Sequence, residues 1–236
     1  MRSGLRARPL RPKLSFGRHC SKIADAGIGL FGLQHSRKHD WKTMLTHRFN
    51  DALVFACDLH RTQLRKSRNT PYISHLLAVS GLVMENGGDE DLAIAALLHD
   101  AVEDQGGMDT EAIIRKKFGG YVADIVLECS DQVTGKDEPW WPRKRAYLAS
   151  IPSKSQGAVM VTTCDKIHNA STVLVDLKHE GLSVFDRFTT GQEGTLWYYR
   201  SLADTLLDHA PTRLGRQLDD VVSQMEAKVA SINEGI

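Results

Sequence analysis

From about residue 47 to the C-terminus, apolar side chains recur at intervals of three and four residues, the spacing of amphipathic helices. Phe49, Leu53 and Ala56 start the pattern and predict a helix over 47–62. Glycine pairs such as 87–88 separate several of the predicted elements. Further helices are predicted over 71–86, 91–104, 110–118, 122–129, from 142 onward, and over 158–177, 197–206 and 214–229.

No stretch of the chain alternates between apolar and polar residues at the period of a strand, and no internal repeat is visible. We therefore predict one all-α domain, a helical bundle over residues 44–236. Residues 1–43 lack a sustained periodicity and are left out of this domain as a basic extension. We favour a disordered tail or translation from an upstream start, with Met44 as the true start. An organellar transit peptide is the less favoured alternative, because the apolar stretch 27–33 is short and rich in glycine.

Charge is divided unevenly along the chain. Ten of the 30 Lys and Arg residues precede Met44, against two of the 29 acidic residues, which leaves 20 basic and 27 acidic residues in the predicted domain. A mildly acidic domain argues against nucleic acid as a partner, because nucleic-acid-binding proteins present broad basic surfaces to phosphates.

Hydropathy and cysteine content narrow the class further. The chain has no run of about 18 apolar residues, so we expect neither a transmembrane helix nor a membrane partner. Its four cysteines form no Cys-x-x-Cys pair, which argues against a disulfide framework or a structural zinc site. We therefore expect a cytoplasmic protein.

Three ionisable residues lie on apolar faces of predicted helices. His60, His99 and Asp165 each follow an apolar residue of the same face by four positions. An unpaired buried charge costs several kcal/mol, roughly, so such residues need partners. Each alone is more simply a hydrogen-bonded core residue, and Asp165 could pair with Lys166. Together they suggest that the three side chains meet around a divalent cation.

The predicted third helix adds three carboxylates beside His99. Asp100 is adjacent to it, and Glu103 and Asp104 lie one turn further along. Two imidazoles with two carboxylates suit Mn²⁺ or a similar divalent metal, which can acidify a bound water and hold a phosphoryl oxygen. Glu103 is then available to orient or deprotonate that water. A solvated acidic helix end is the simpler alternative, but an apolar run precedes this segment.

The ordered motifs resemble the HD superfamily, and most closely the hydrolase domain of RelA/SpoT-type guanosine tetraphosphate (ppGpp) enzymes and their small stand-alone homologues. His-Asp alone would be weak support, whereas the ordered set extends over about residues 50–200. The matching segments are HRTQLRK (60–66), TPYISH (70–75), AALLHDAVED (95–104), FGGYVADIV (118–126), CSD (129–131) and DKIHN (165–169).

The resemblance implies a role for each matching residue. The metal ligands, usually of Mn²⁺, would be His60, His99, Asp100 and Asp165. The pair that activates water would be Glu103 and Asp104. Residues in contact with the nucleotide would be Arg65, Lys66, Asn169 and Thr172.

The same resemblance implies hydrolysis of the 3′-diphosphate of (p)ppGpp by a stand-alone hydrolase. Another nucleotide, such as the 2′-phosphate of NADPH or a deoxynucleotide, is an open alternative, as is a catalytically silent nucleotide-binding module. Leu76 stands where a proline is usual, which puts substrate fit in doubt more than catalysis. Arg143 and Lys144 could neutralise substrate phosphates, although a solvated helix face is the favoured interpretation. Trp140 and Trp141 could stack on a base or anchor a loop.

Overall fold

The computed structural model describes residues 45–66, 69–131 and 139–235. Regular structure in these ranges is helical, apart from an isolated antiparallel bridge between Leu64 and Pro71, so the all-α prediction is confirmed. The prediction for residues 1–43 lies outside the described residues. The helices are α1 (His47–Leu59), α2 (Ile73–Glu85), α3 (Glu90–Leu98), α4 (Ala101–Asp104), α5 (Gly107–Phe118), α6 (Gly120–Cys129), α7 (Trp140–Ser150), α8 (Gln156–Glu180), α9 (Gly191–His209) and α10 (Thr212–Asn233), with 3₁₀ segments at Ile151–Ser153 and Gly181–Arg187.

Helix α8 is the centre of the bundle. It is 25 residues long, and 14 of its residues are buried. A surface helix buries only the residues of one face, so this is a larger share than such a helix would bury. The side chain of Ser155 caps its first turn by accepting a hydrogen bond from the amide of Ala158. Helices α2, α3, α6, α9 and α10 all contact α8, so a side chain in its middle lies deep in the protein.

Helices α2 and α3 form a second apolar layer. Six consecutive residues of α3, from Ala93 to Leu98, are fully buried. Leu76 on α2 is also fully buried, so the residue that departs from the usual proline contributes to the core. Asp89 fixes the start of α3 by accepting a hydrogen bond from the amide of Leu92.

The prediction of one continuous helix over 91–104 was wrong. Helix α3 ends at Leu98, and α4 starts only at Ala101, with Asp100 as its N-cap residue at φ −97° and ψ −1°. Asp100 lies at this interruption, and its carboxylate accepts a hydrogen bond from the hydroxyl of Tyr72 at 2.5 Å. The corner between the two helices directs His99 and Asp100 to one place.

No helix among the described residues combines the length and apolarity that a membrane span requires.

The packing of α3 makes a prediction for stability. Leu97→Ala should lower the free energy of unfolding by about 2–5 kcal/mol, because it leaves a cavity at a fully buried position. Leu77→Ala is the matched control, since Leu77 on α2 is 46% exposed and should cost less than about 1 kcal/mol. Urea unfolding followed by circular dichroism measures both. Equal losses in the two variants would contradict the assignment of α3 to the core.

Candidate active site

Four side chains from three parts of the chain lie close together inside the helical bundle. His75 lies in the first turn of α2, His99 and Asp100 lie at the corner between α3 and α4, and Asp165 lies in the middle of α8. Nε2 of His75 is 3.2 Å from Oδ1 of Asp165 and 3.6 Å from Oδ2 of Asp100. Nε2 of His99 is 3.0 Å from Oδ2 of Asp100 and 3.6 Å from Oδ1 of Asp165.

The Nδ1 atom of each of these two imidazoles also has a hydrogen-bond partner. Nδ1 of His99 donates to the carbonyl of Ala96 at 2.8 Å, so it carries a proton and leaves Nε2 free to act as a ligand. Nδ1 of His75 lies 2.8 Å from Nδ1 of His168. Burial, together with the proximity of His75 and Arg65, lowers the pKa of His168 to about 4.

Strong electrostatic coupling holds the group together. Burial alone would lower the pKa of His99, but Asp100 and Asp165 outweigh it and raise that pKa well above the usual range. Burial would likewise raise the pKa of both carboxyls. Instead His99 holds the pKa of Asp100 well below normal, and Lys166 with the two histidines does the same for Asp165. The positive charge that faces Asp100 and Asp165 therefore favours the carboxylate form of both side chains.

The geometry fits a divalent cation. One ligand atom from each of His75, His99 and Asp165 falls within 4.8 Å of the others, and all three residues are buried. Nε2 of both histidines lacks a well-formed hydrogen bond to any described residue. Two imidazole nitrogens and carboxylate oxygens that converge in this way suit Mn²⁺, Fe²⁺, Co²⁺ or Zn²⁺. A cation there would take the place of the proton that the pKa of His99 implies.

His60, one of the four predicted ligands, is not a member of the cluster of His75, His99 and Asp165. Helix α1 ends at Leu59, so His60 is a C-cap residue, and its Nδ1 is hydrogen-bonded to Oε1 of Gln63 at 2.6 Å. Its ring stacks on Tyr72, with 5.3 Å between the ring centroids, and the same tyrosine packs against His75 at 5.5 Å. His75, for which the sequence predicted no role, is a member of the cluster.

Neighbouring side chains orient the carboxylate of Asp165. Nζ of Lys166 donates to its Oδ2 at 2.6 Å, and Nδ2 of Asn169 donates to its Oδ1 at 2.5 Å. The simple pairing with Lys166 that the sequence left open is therefore present, and it occupies only one of the two oxygens. Oδ1 is the oxygen that faces both histidines of the cluster.

Glu103 lines a cleft together with Asp100 and Asp165, whereas Asp104 is not among the residues that line it. Partial burial of the Glu103 carboxyl, then the proximity of Asp131 and Asp100, raise its pKa to about 7. The Asp131 amide donates to Oε2 of Glu103 at 3.3 Å. The carboxylate of Asp104 instead accepts from Nε2 of Gln63 at 2.7 Å. Glu103 lines the cleft together with members of the cluster and is thus the better placed of the two to meet a water molecule.

The four residues predicted to contact the nucleotide have different surroundings in the structure. Nη2 of Arg65 donates to Oδ1 of Asn169 at 2.8 Å, which connects both to Asp165. Lys66 is exposed and close to Asp104, whose pKa is raised by burial of its carboxyl; the charge of Lys66 opposes part of that rise. The hydroxyl of Thr172 donates to the backbone carbonyl of His168 at 2.9 Å, and Thr172 is not among the residues that line the cleft.

Basic side chains of α7 close another side of the cleft. Arg143 donates to Asp131 at 2.7 Å, and Lys144 donates to the other oxygen of the same carboxylate. The side chains of Arg143 and Lys144 are only 18% and 16% exposed, so the favoured interpretation of a solvated helix face was wrong for both. The residues that line the cleft are Tyr72, Asp100, Glu103, Cys129, Asp131, Lys144, Tyr147, Asp165, Lys166 and Asn169.

The tryptophans of α7 pack against one another and against α9. The ring centroids of Trp140 and Trp141 are 4.9 Å apart, and those of Trp141 and Trp197 are 4.8 Å apart. The guanidinium of Arg145 lies 5.7 Å from the Trp141 ring. These contacts favour the anchoring role over base stacking.

A family model described as an HD domain matches residues 52–196, which include every member of the cluster. The chain belongs to the HD domain family. His99 and Asp100 are the adjacent histidine and aspartate of this HD domain. The other two members of the cluster are His75, in the segment TPYISH (70–75), and Asp165, in the segment DKIHN (165–169).

Curated relatives carry a consistent name. The chain is 40% identical over 131 residues to guanosine-3′,5′-bis(diphosphate) 3′-pyrophosphohydrolase MESH1 of Xenopus tropicalis, a match that covers 54% of this chain and 68% of the relative. It is 37% identical over 122 residues to MESH1 of Homo sapiens, covering 50% of this chain and 65% of the relative. The HD domain is thus similar to proteins of that name.

A solved structure has the same fold. It is described as a metazoan ortholog of SpoT that hydrolyzes ppGpp and plays a role in starvation responses. The TM-score is 0.63 at 27% sequence identity, over 77% of this chain and 97% of the other.

Proposed function

We propose that this protein hydrolyses guanosine 3′,5′-bis(diphosphate) with a divalent metal ion, releasing pyrophosphate from the ribose 3′ position. The observation that carries the proposal is the cluster of His75, His99, Asp100 and Asp165. Its two carboxylates line the same cleft as Glu103. The names of the MESH1 relatives support the choice of substrate. The products would be GDP from ppGpp and GTP from pppGpp.

Mn²⁺ is the proposed cation, held by Nε2 of His75 and His99 and by carboxylate oxygens of Asp100 and Asp165. When bound, a divalent cation supplies Lewis acidity that lowers the pKa of water and polarises a phosphoryl oxygen. Lys166 and Asn169 hold the Asp165 carboxylate in the orientation that binding requires.

Glu103 is the proposed base. Its carboxylate accepts a proton from the attacking water as a new bond forms between oxygen and the phosphorus on the ribose 3′ oxygen. The bond from that phosphorus to the 3′ oxygen breaks, and a proton restores the 3′ hydroxyl. A pKa of about 7 allows Glu103 both to accept and to release a proton near neutral pH. Asp104 is proposed to assist through its hydrogen bond with Gln63 rather than by contact with the water.

Cationic side chains around the cleft suit a substrate with several phosphates. Lys144 and Lys166 line it directly. Arg65 donates a hydrogen bond to Asn169, which also lines the cleft, and the exposed Lys66 follows Arg65 in the segment after α1. We assign these groups to phosphate and ribose contacts, because charge-assisted hydrogen bonds to phosphate are strong in a partly desolvated cleft. Thr172 is left out of this assignment because its hydroxyl is bonded within its own helix.

The proposed partner is a small nucleotide, with no nucleic-acid or membrane partner, and the proposed location is the cytoplasm. The acidic balance of residues 44–236 supports the exclusion of nucleic acid, since 27 acidic residues face 20 basic ones there.

A substrate panel tests the proposal. With Mn²⁺, the purified protein should convert ppGpp to GDP and pyrophosphate, as measured by anion-exchange chromatography, and EDTA should abolish the conversion. NADPH and deoxynucleotides, offered side by side, test the alternative substrates. Asp100→Ala is the negative control, because it removes a ligand. Release of phosphate from NADPH or a deoxynucleotide, without turnover of ppGpp, would overturn the choice of substrate and keep the hydrolase assignment.

A further inference from the structure

His168 is a half-buried histidine that none of the roles assigned above uses. It lies on α8, three residues beyond Asp165, and its Nδ1 is 2.8 Å from Nδ1 of His75. The two rings are tilted against each other with centroids 4.9 Å apart. A nitrogen-to-nitrogen distance of 2.8 Å is that of a hydrogen bond, so one of the two nitrogens carries a proton and the other accepts it.

The direction of this hydrogen bond follows from the position of the other nitrogen of His75. Nε2 of His75 faces Oδ1 of Asp165 and Oδ2 of Asp100 and is the atom available to a cation. A ligand nitrogen must be unprotonated, so the proton of a neutral His75 lies on Nδ1. Nδ1 of His168 is then the acceptor, and the proton of a neutral His168 lies on its Nε2.

The two histidines of the cluster thus have different outer partners, meaning the groups hydrogen-bonded to the ring nitrogen that faces away from the cluster. His99 donates to the backbone carbonyl of Ala96, which the helix itself provides. His75 lies in the first turn of α2, and its Nδ1 is hydrogen-bonded to a side chain of α8 instead. Outer partners of this kind fix the tautomer and the ring orientation of a ligand histidine and increase its basicity.

We propose that His168 is a positioning residue of the metal centre, which accepts a hydrogen bond from His75 and so holds Nε2 of His75 toward the cation. The proposal rests on the metal centre of the proposed function and extends it by one residue. His168 would not touch the substrate or the reacting atoms.

The alternative is that His168 only fills space between α2 and α8. Its surroundings argue against this, because His168 also lines an open groove of about 430 Å³ together with Ala78, Leu82 and Gln217. A ring with one side on an open groove contributes less to packing than a fully enclosed one. Loss of the acceptor and loss of packing therefore predict different results for two substitutions.

Two variants separate these roles. His168→Phe keeps an aromatic ring but removes the acceptor, and we expect Mn²⁺ to bind about 10- to 100-fold more weakly. His168→Asn keeps an oxygen near the position of Nδ1 and should restore most of the affinity. The matched control is His179→Phe, an exposed position on the same helix, which should leave the affinity unchanged. Titration with Mn²⁺, followed by the electron paramagnetic resonance of the free ion, gives the dissociation constants without any substrate.

The unfolding temperature of each metal-free variant shows whether a change in affinity follows from a damaged fold. Wild-type affinity in His168→Phe would overturn the proposal, and so would an equal loss in His168→Asn and His168→Phe with unchanged unfolding temperatures. The tautomers provide a test that needs no substitution. In the Zn²⁺-loaded protein at mildly alkaline pH, long-range ¹H–¹⁵N spectra should place the proton of His75 on Nδ1 and that of His168 on Nε2. A proton on Nδ1 of His168 would contradict the proposal.

These measurements separate the inference from the proposed function. Failure of the wild-type protein to bind Mn²⁺ would overturn the metal centre itself. Metal binding without ppGpp turnover would overturn the substrate and leave the role of His168 intact. Normal turnover in the wild type, together with an unaffected His168→Phe variant, would overturn only the role of His168.

Discussion

His75→Ala should abolish both metal binding and hydrolysis, whereas His60→Ala should leave both close to wild type. The reason is geometric, because Nε2 of His75 lies 3.2 Å from Oδ1 of Asp165, while His60 is hydrogen-bonded to Gln63 and stacked on Tyr72. Removal of one ligand from a cluster of four removes a large part of the affinity for a divalent cation. Mn²⁺ titration and turnover of ppGpp measure the two effects separately.

Each of the two alanine variants is the other's control, because both remove a buried imidazole at 0–3% exposure. Both should lose some stability when metal-free, and the unfolding temperature corrects for that loss. Mn²⁺ should raise the unfolding temperature of wild type and His60→Ala but not that of His75→Ala, because a ligand stabilises only a fold that binds it. The reverse pattern would return the ligand role to His60.

Glu103→Gln should lower kcat by about 10²- to 10⁴-fold while the affinity for Mn²⁺ stays close to wild type. Glutamine keeps the size of the side chain and can still accept a hydrogen bond from the Asp131 amide, but it cannot take a proton from water. Steady-state kinetics with ppGpp, combined with Mn²⁺ titration of the same sample, checks both parts of the prediction.

The pH dependence of kcat gives an independent check on Glu103. Only its carboxylate form can act as a base, so kcat should fall as the pH falls below the pKa of this group. That pKa is about 7 beside Asp131 and Asp100, and a cation at the cluster would favour the carboxylate, so the acid limb should lie at or below about pH 7. The limb should disappear in Glu103→Gln. A Glu103→Gln variant with wild-type kcat and an unchanged limb would exclude Glu103 as the base.

Asp104→Asn completes this comparison. The carboxylate of Asp104 accepts from Gln63, and an asparagine oxygen can accept the same hydrogen bond. We therefore expect a smaller loss of kcat than in Glu103→Gln. A larger loss would make Asp104 the base.

Much of the fold was predictable because apolar periodicity reports directly on burial. The inner face of α8 was visible in the sequence, and the structure has this helix at Gln156–Glu180, slightly longer than the predicted 158–177. Two members of the cluster were predictable for the same reason: an ionisable side chain on an apolar face needs a partner. His99 and Asp165 met that criterion, Asp100 was predicted as the neighbour of His99, and the structure brings the three together.

The fourth member shows where the criterion fails. His75 lies four residues before Val79 and eight before Val83, both fully buried, so it satisfied the periodicity test as well as His60 did. The segment TPYISH (70–75) was part of the family resemblance, but no role was drawn from it. Periodicity states that a histidine is buried, and it does not state which other helix that histidine faces. This was the available signal that sequence reasoning missed.

The sequence by itself determined that the protein is all-α, that His60, His99 and Asp165 lie on apolar faces, and that the chain resembles metal-dependent phosphohydrolases. Only the tertiary structure decided that α3 ends at Leu98, that His75 and not His60 is a member of the cluster, and that the hydroxyl of Thr172 bonds within its own helix. The physical reason is the distance along the chain between the residues that interact. The spacing of apolar residues within one segment is enough to predict a helix and its buried face. The partner of a buried charge depends instead on how helices that are distant in the sequence pack together.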